Sequence, residues 1–118
     1  MSASRLNVIA LGIFAPILVL AGILGFIIPP HLSLMSGAAP YNIFHIIFGT
    51  IGIIFVLTKN ETLIRSFNLG FGLMDLYQVV ASFAHLFPEQ YFQWKPADDV
   101  LHIIIGLALV LIGWSSRR

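Results

Sequence analysis

The stretch of sequence that decides the fold runs from residue 65 to residue 89 and reads RSFNLGFGLMDLYQVVASFAHLFPE. A line of polar, charged and small residues recurs in it every three or four positions: Arg65, Asn68, Gly72, Asp75, Gln78, Ser82, His85 and Glu89. This spacing is close to the 3.5-residue repeat of a helix seam, which predicts a helix with one polar line and mostly apolar sides. In a bilayer the polar line of such a helix faces other helices and the apolar sides face lipid.

The composition of the whole chain also indicates a membrane protein. Hydrophobic residues make up 58% of the 118 residues and charged residues only 9%, whereas a soluble domain has about 25% charged residues. A small globule has too much surface to bury this apolar excess. We therefore predict an all-α, polytopic membrane protein that forms a single transmembrane domain over residues 1–118, with the lipid bilayer as its surroundings.

Charge, cysteine content and motif content exclude several functional classes. The net charge of +1 provides no basic surface for nucleic acid. The absence of cysteine excludes disulfides, thiolate metal sites and cysteine nucleophiles. Ser82 and His85 lie one turn apart with Asp75 well below them, which does not make a catalytic triad. The sequence therefore predicts a protein that is not an enzyme.

Four apolar segments of membrane-spanning length follow one another along the chain, at approximately 8–28, 41–57, 63–87 and 98–114. The first has 21 residues without a charge, about the ~20 residues that cross a hydrocarbon core. Pro16 lies inside it and is predicted to kink it. Asp98 and Asp99 open the fourth segment, where carboxylates cap free amide groups. Together these segments predict a four-transmembrane-helix bundle.

The positive residues predict the orientation of this bundle. One side carries Arg5, Lys59, Arg65, Arg117 and Arg118, and the other carries Lys95. The positive-inside rule then places both termini in the cytoplasm. All four histidines, His31, His45, His85 and His102, lie toward the outer half in this arrangement.

The second and fourth segments begin with the same pattern. Residues 42–49 read NIFHIIFG and residues 99–106 read DVLHIIIG, so both follow polar-x-x-His-x-x-x-Gly. Positions three and four apart share a helix face, and each histidine therefore lies between a hydrogen-bonding side chain and a glycine notch. The two segments run in the same direction across the membrane, which favours two repeated helical hairpins.

Two further short motifs mark the start of the third segment, Arg65-x-Phe67 and Gly70-Phe71-Gly72. Together with the two histidine motifs they resemble an uncharacterised family of small four-helix bacterial integral membrane proteins, catalogued as a domain of unknown function. The resemblance covers roughly residues 41–113. It implies a bacterial protein, and hence the inner (cytoplasmic) membrane, but no activity, because none is assigned to the family.

His45 and His102 form the first candidate site. Both are expected about one turn below the outer surface on different helices, where two neutral imidazoles could ligate one haem iron or hold chlorophyll beside the glycine notches. The same two histidines could instead hold a divalent metal together with His85 and an acid from Asp98, Asp99 or Glu89. In the structural alternative each histidine hydrogen-bonds its own helix start and packs the bundle.

Asp75 is the second candidate, because it is the only acidic residue inside any apolar segment. An ionisable group at mid-membrane costs on the order of 2.5–3.5 kcal/mol on insertion scales, so such groups usually mark function. Thr50 is expected at a similar depth on the second segment and is the predicted partner. Asn68, Gln78 and Ser82 complete a predicted interhelical polar seam: Asn68, Asp75, Gln78, Ser82 and Thr50.

These features favour a non-enzymatic accessory or structural subunit of a larger bacterial membrane complex, or a homo-oligomer. The reasons are the short loops and the small residues of the first segment, which allow close approach of another helix. Its partners are then other membrane subunits or further copies of the chain. One alternative is a haem- or chlorophyll-type module that uses His45 and His102. The other is a proton, ion or small-solute transport element that uses Asp75.

Overall fold

A computed structural model describes residues 3–115 of the chain. Every regular element among these residues is helical, so the predicted all-α class is confirmed. The elements in chain order are α1 (Ala3–Ile27), one 3-10 turn (Pro30–Leu32), α2 (Ala39–Thr58), α3 (Glu61–Ala84), the short α4 (Glu89–Phe92) and α5 (Pro96–Ser115). The helices α1, α2, α3 and α5 have 20 or more residues each and form the bundle.

Within the described part of the chain, three helices are long and apolar enough to cross a membrane. They are α1 from Arg5 to Ile27, all of α2, and all of α5. The helix α3 has 24 residues, but its polar line lowers its mean hydropathy and it is not among these three. Length and composition thus indicate a membrane-associated helical protein.

The ends of α3 are set by local hydrogen bonds. At its start the Asn60 side chain accepts the Leu63 amide at 3.1 Å, which is a standard N-cap. At its end His85 adopts a left-handed conformation with φ of 57°, and the Leu86 amide donates to the Ala81 carbonyl at 2.9 Å. This Schellman-type turn ends the helix at residue 84 rather than at the predicted residue 87. The short α4 lies within the loop predicted at residues 88–97.

The long helices pack as two antiparallel hairpins, α1 against α2 and α3 against α5. Both hairpins contain the same close contact between their two helices. It joins residues 15 and 49 in the first hairpin and residues 72 and 106, each 57 positions later, in the second. A Cβ added to Gly49 would lie 2.8 Å from the carbonyl oxygen of Ala15, and one added to Gly106 would lie 3.0 Å from that of Gly72. In both hairpins the glycine that follows the histidine therefore lets the two backbones touch.

Aromatic rings fill the region where the hairpins meet. Phe71 of α3 packs edge-on against Phe14 of α1, with ring centroids 5.6 Å apart, and contacts Phe44 of α2 at 5.9 Å. Phe67 stacks on Phe71 at 5.4 Å. This aromatic core lies directly beside the cavity described below and fixes the spacing of the helices around it.

Polar and apolar side chains are distributed in the reverse of a water-soluble protein. On α3 the side chains of Asn68, Asp75 and Gln78 are buried at 0%, 3% and 4% exposure, while Leu73 and Val80 are 54% and 57% exposed. The same holds for the other long helices, whose outer faces carry large aliphatic side chains. Such an exterior matches lipid, and Asn68 and Gln78 form hydrogen bonds within the bundle.

Candidate functional site

The four long helices surround a cavity of about 220 Å³ that three of the predicted site residues share, His45, Asp75 and His102. Its lining is apolar except for four side chains, Tyr41, His45, Asp75 and His102. The apolar lining residues are Phe14, Ile17, Leu18, Ala21, Met35, Phe71, Leu101 and Ile105. Two of these lining residues, Ile17 of α1 and Leu101 of α5, are also exposed on the outside of the bundle.

Tyr41 connects the two histidines that the sequence singled out. Its hydroxyl lies 2.6 Å from Nε2 of His102, and both residues are buried. Its ring meets the His45 ring edge-on, with centroids 4.2 Å apart. The hydroxyl either donates to a neutral Nε2 or accepts from Nε2–H, depending on the tautomer. The Nδ1 atom of His102 is buried and has no hydrogen-bond partner within residues 3–115.

Asp75 lines the same cavity at a level close to the histidines. It is 3% exposed, and none of the hydrogen bonds or ion pairs among the described residues involves its carboxyl group. The predicted partner Thr50 lies elsewhere, on an exposed face of α2, where its hydroxyl donates to the Ile46 carbonyl at 2.7 Å. A hydroxyl that bonds within its own helix does not reach across to a neighbour.

The remaining seam residues bond α3 to its neighbours above and below the cavity. Asn68 donates to the carbonyl oxygen and to Oδ1 of Asn7 on α1, at 3.1 and 2.9 Å. Gln78 accepts from the indole nitrogen of Trp94 at 3.0 Å. Ser82 donates to Asp99 of α5 at 3.0 Å. The polar line of α3 thus makes specific interhelical bonds, while Asp75 at its centre is left for the cavity.

The adjacent carboxyl groups at the start of α5 have separate structural roles. Oδ2 of Asp98 accepts the backbone amides of Ser36 and Lys95, each at 2.8 Å. It therefore caps α5 and ties the first loop to the start of this helix. The helix begins at Pro96, two residues earlier than predicted. Asp99 is held by Ser82, as described above. The two carboxyl groups fix the outer end of the site.

The residues predicted to hold a metal have other partners. His85 is exposed at the end of α3, where its Nδ1 lies 3.5 Å from Oε1 of Glu89. Asp99 is buried at the Ser82 contact. Within residues 3–115 there is no cluster of three or more potential ligands among His, Asp and Glu side chains. The titratable groups that the structure does bring together are those of the cavity.

The size of the cavity constrains what it can hold. An apolar cavity of ~150 Å³ binds one benzene molecule, so about 220 Å³ accommodates a single ring with small substituents. A tetrapyrrole has four linked rings, and holding one between His45 and His102 would require the helices to move apart. It would also require breaking the bond between Tyr41 and His102 Nε2. The present geometry suits a smaller organic molecule.

Two site residues were not recognised in the sequence, although each left a signal. Tyr41 stands one turn before His45 on the same helix face, and this i, i+4 pairing of rings predicts contact. Asn7 stands at the edge of the first apolar segment, in register to face Asn68 from a neighbouring helix. The cavity can thus offer hydrogen-bond donors and acceptors to a ligand in apolar surroundings.

Comparison of the chain with protein-family models, with curated proteins and with solved structures finds no match.

Proposed function

We propose that this chain is a four-helix integral membrane protein that binds a small, lipid-soluble organic ligand in the cavity between its helices. The observation that carries the proposal is an apolar cavity that contains two polar groups without hydrogen-bond partners among residues 3–115, His102 Nδ1 and the carboxyl group of Asp75. A buried polar group without a partner costs about 1–3 kcal/mol. A ligand that forms hydrogen bonds with these groups removes this cost. In a cavity that had only a structural role, the cost would remain.

The exposure pattern of α3 supports its place as the fourth crossing helix. Its polar residues point into the bundle, and Leu73, Val80 and Phe83 form an apolar outer face. Its 24 residues exceed the ~20 needed to cross the hydrocarbon core. A helix whose polar groups bond to neighbouring helices crosses a membrane despite a modest mean hydropathy.

The charge distribution supports a location in the bacterial cytoplasmic membrane with both termini inside. Arg5, Lys59 and Arg65 lie at one end of the bundle. Aromatic residues of the α4 region, Tyr91 and Trp94, lie at the other end, as expected for a membrane interface. The residues at positions 116–118 lie outside the described range. A reporter fused after residue 118 that is active only in the periplasm should stay inactive, and an active reporter would refute this orientation.

Quenching of Trp94 fluorescence tests the binding function. The chain has two tryptophans, and Trp94 lies beside the cavity with its ring 6.4 Å from that of His102. In a Trp114→Phe background, Trp94 is the sole reporter. Bromobenzene, a one-ring quencher, should produce saturable quenching when it is added to the protein in lipid nanodiscs. Quenching that rises linearly without saturation, as for a probe dissolved in lipid alone, would refute the proposal.

A matched pair of substitutions assigns the quenching to the cavity. Ala21→Phe places a ring among the lining residues and should abolish the saturable component. Ala108→Phe makes the same change on the exposed face of α5 and should leave it intact. Equal quenching in the two variants would place the bromobenzene outside the cavity.

Exposed glycines favour a second candidate function, that of an accessory subunit or homo-oligomer. A Cβ added to Gly12 of α1 or to Gly70 of α3 would meet no atom within 4 Å, and both residues are exposed. Exposed glycines allow another helix to approach closely. Gly12→Leu should then shift the protein toward monomer in chemical crosslinking within native membranes. An unchanged crosslinking pattern would remove the support that this glycine gives.

A further inference from the structure

We infer that the ligand of this cavity is an organic cation, an ammonium group attached to a single ring, and that the Asp75 carboxylate is its counterion. The inference rests on the proposed binding function and specifies the chemistry of the same site. It is carried by the charge, the aromatic lining and the size of the cavity.

Asp75 has no counterion within the described part of the protein. It is the sole acidic residue of the cavity lining, and no Lys or Arg lines the cavity. The nearest basic residues along α3 and the outer loop are bonded at the two ends of the bundle. Arg65 donates to the Gly113 carbonyl at 2.9 Å, and Lys95 donates to the Ser33 carbonyl at 2.9 Å. Keeping this buried carboxyl group ionised requires a positive partner, and a cationic ligand supplies one.

The rings around Asp75 suit a cation. Phe14, Tyr41 and Phe71 line the cavity together with this carboxyl group. The faces of aromatic rings carry negative charge density and attract ammonium groups, most strongly where water is excluded. A carboxylate and aromatic faces in one small cavity are complementary to an amine on an apolar body, and a purely apolar ligand would leave Asp75 unpaired.

The size and the opening of the cavity set the shape of this cation. About 220 Å³ exceeds the ~150 Å³ of an apolar cavity that holds one benzene molecule, so one ring and a small ammonium group fit. We expect the entrance at Ile17 and Leu101, because both line the cavity and are exposed on the outer surface of the bundle, where lipid is expected. An amphiphilic cation that has partitioned into the bilayer can enter by this route.

Two probes of the same shape separate recognition of charge from recognition of size. One is para-bromobenzylammonium, and the other is para-bromoethylbenzene, in which a methyl group replaces the ammonium group. Both are titrated against Trp94 in the Trp114→Phe protein in nanodiscs. In Asp75→Asn the affinity for the cation should fall by about tenfold to a hundredfold, as expected for loss of a charge pair. The affinity for the neutral probe should change by no more than about twofold.

Each outcome of this experiment is decisive. If Asp75→Asn binds the cation as well as the parent protein does, the cation assignment is wrong while the binding function stands. If neither probe gives saturable quenching that Ala21→Phe removes, the binding function itself fails. Retained affinity for the neutral probe shows that Asp75→Asn is folded. Should that variant not fold, Asp75→Glu, which keeps the charge and moves it by one methylene, must change the affinity for the cation and not that for the neutral probe.

Discussion

Replacing Tyr41 with phenylalanine tests the link between the two histidines, because it removes one hydroxyl and leaves the ring in place. The hydroxyl lies 2.6 Å from Nε2 of His102 in a buried position. The other ring nitrogen of His102 already lacks a partner among the described groups. After Tyr41→Phe, both nitrogens of a buried imidazole are unpartnered.

The size of the expected effect follows from this burial. Hydrogen bonds between membrane helices average ~0.6 kcal/mol and reach ~1.7 kcal/mol in double-mutant cycles, whereas an orphaned buried group costs about 1–3 kcal/mol. A short, buried bond belongs near the upper end of the first range. We therefore expect Tyr41→Phe to lower the free energy of unfolding by about 1–2 kcal/mol. The double variant Tyr41→Phe/His102→Leu should lose about 1 kcal/mol less than the sum of the single variants.

Reversible unfolding in mixed detergent micelles, followed by far-UV circular dichroism, measures these differences. The matched control is Tyr77→Phe, because the Tyr77 hydroxyl also forms a 2.6 Å bond, to the Phe87 carbonyl, but on an exposed residue. Its loss should cost less than about 0.5 kcal/mol, since the exposed Phe87 carbonyl lies in the loop after α3, where water replaces the bond. Equal effects of the two tyrosine substitutions, with strict additivity between Tyr41 and His102, would refute the reasoning.

Three further predictions concern the framework around the site. Gly72→Leu should destabilise the bundle by more than about 2 kcal/mol, since even a Cβ would lie 2.9 Å from the Gly106 carbonyl oxygen. The control Gly70→Leu has open space beside it and should not destabilise the bundle in the same unfolding assay. Asn68→Leu should lower the free energy of unfolding by about 1–2 kcal/mol, because it leaves buried groups of the first helix without a partner. Thr50→Val should lower it by less than about 0.5 kcal/mol. A larger loss for Thr50→Val than for Asn68→Leu would contradict the role of Asn68 in the polar seam. Asp98→Ala should speed hydrogen exchange of the two backbone amides that it accepts, and unchanged exchange would show that this carboxyl group does not anchor the first loop.

The sequence predicts those features that depend on periodicity within one helix. The polar line of α3 is buried at Asn68, Asp75 and Gln78 because residues three and four apart share one face, and the large apolar residues between them are exposed. The matching motifs at His45 and His102 placed both histidines at one level of the bundle. The structure brings both to one cavity because α2 and α5 are held against their partner helices by equivalent glycines.

Features that depend on how two helices are rotated against each other were not predictable from spacing alone. Thr50 was expected at the depth of Asp75, but the rotation of α2 that buries Gly49 turns Thr50 outward. Tyr41 enters the site because that same rotation points it toward α5. The rotation is set by close contact at the glycines, where fractions of an ångström decide which face is buried.

Anomalous diffraction from crystals soaked with para-bromobenzylammonium tests the central claim most directly, because bromine marks the position of the bound probe. The account predicts one bromine peak in the cavity between α1 and α5, with the ammonium group beside Asp75 and the aromatic faces of Phe14 and Phe71. The same soak of Ala21→Phe crystals should show no peak there. A bromine peak confined to the outer surface, or one in the cavity that persists unchanged in Ala21→Phe, would contradict the assignment of this cavity as the binding site.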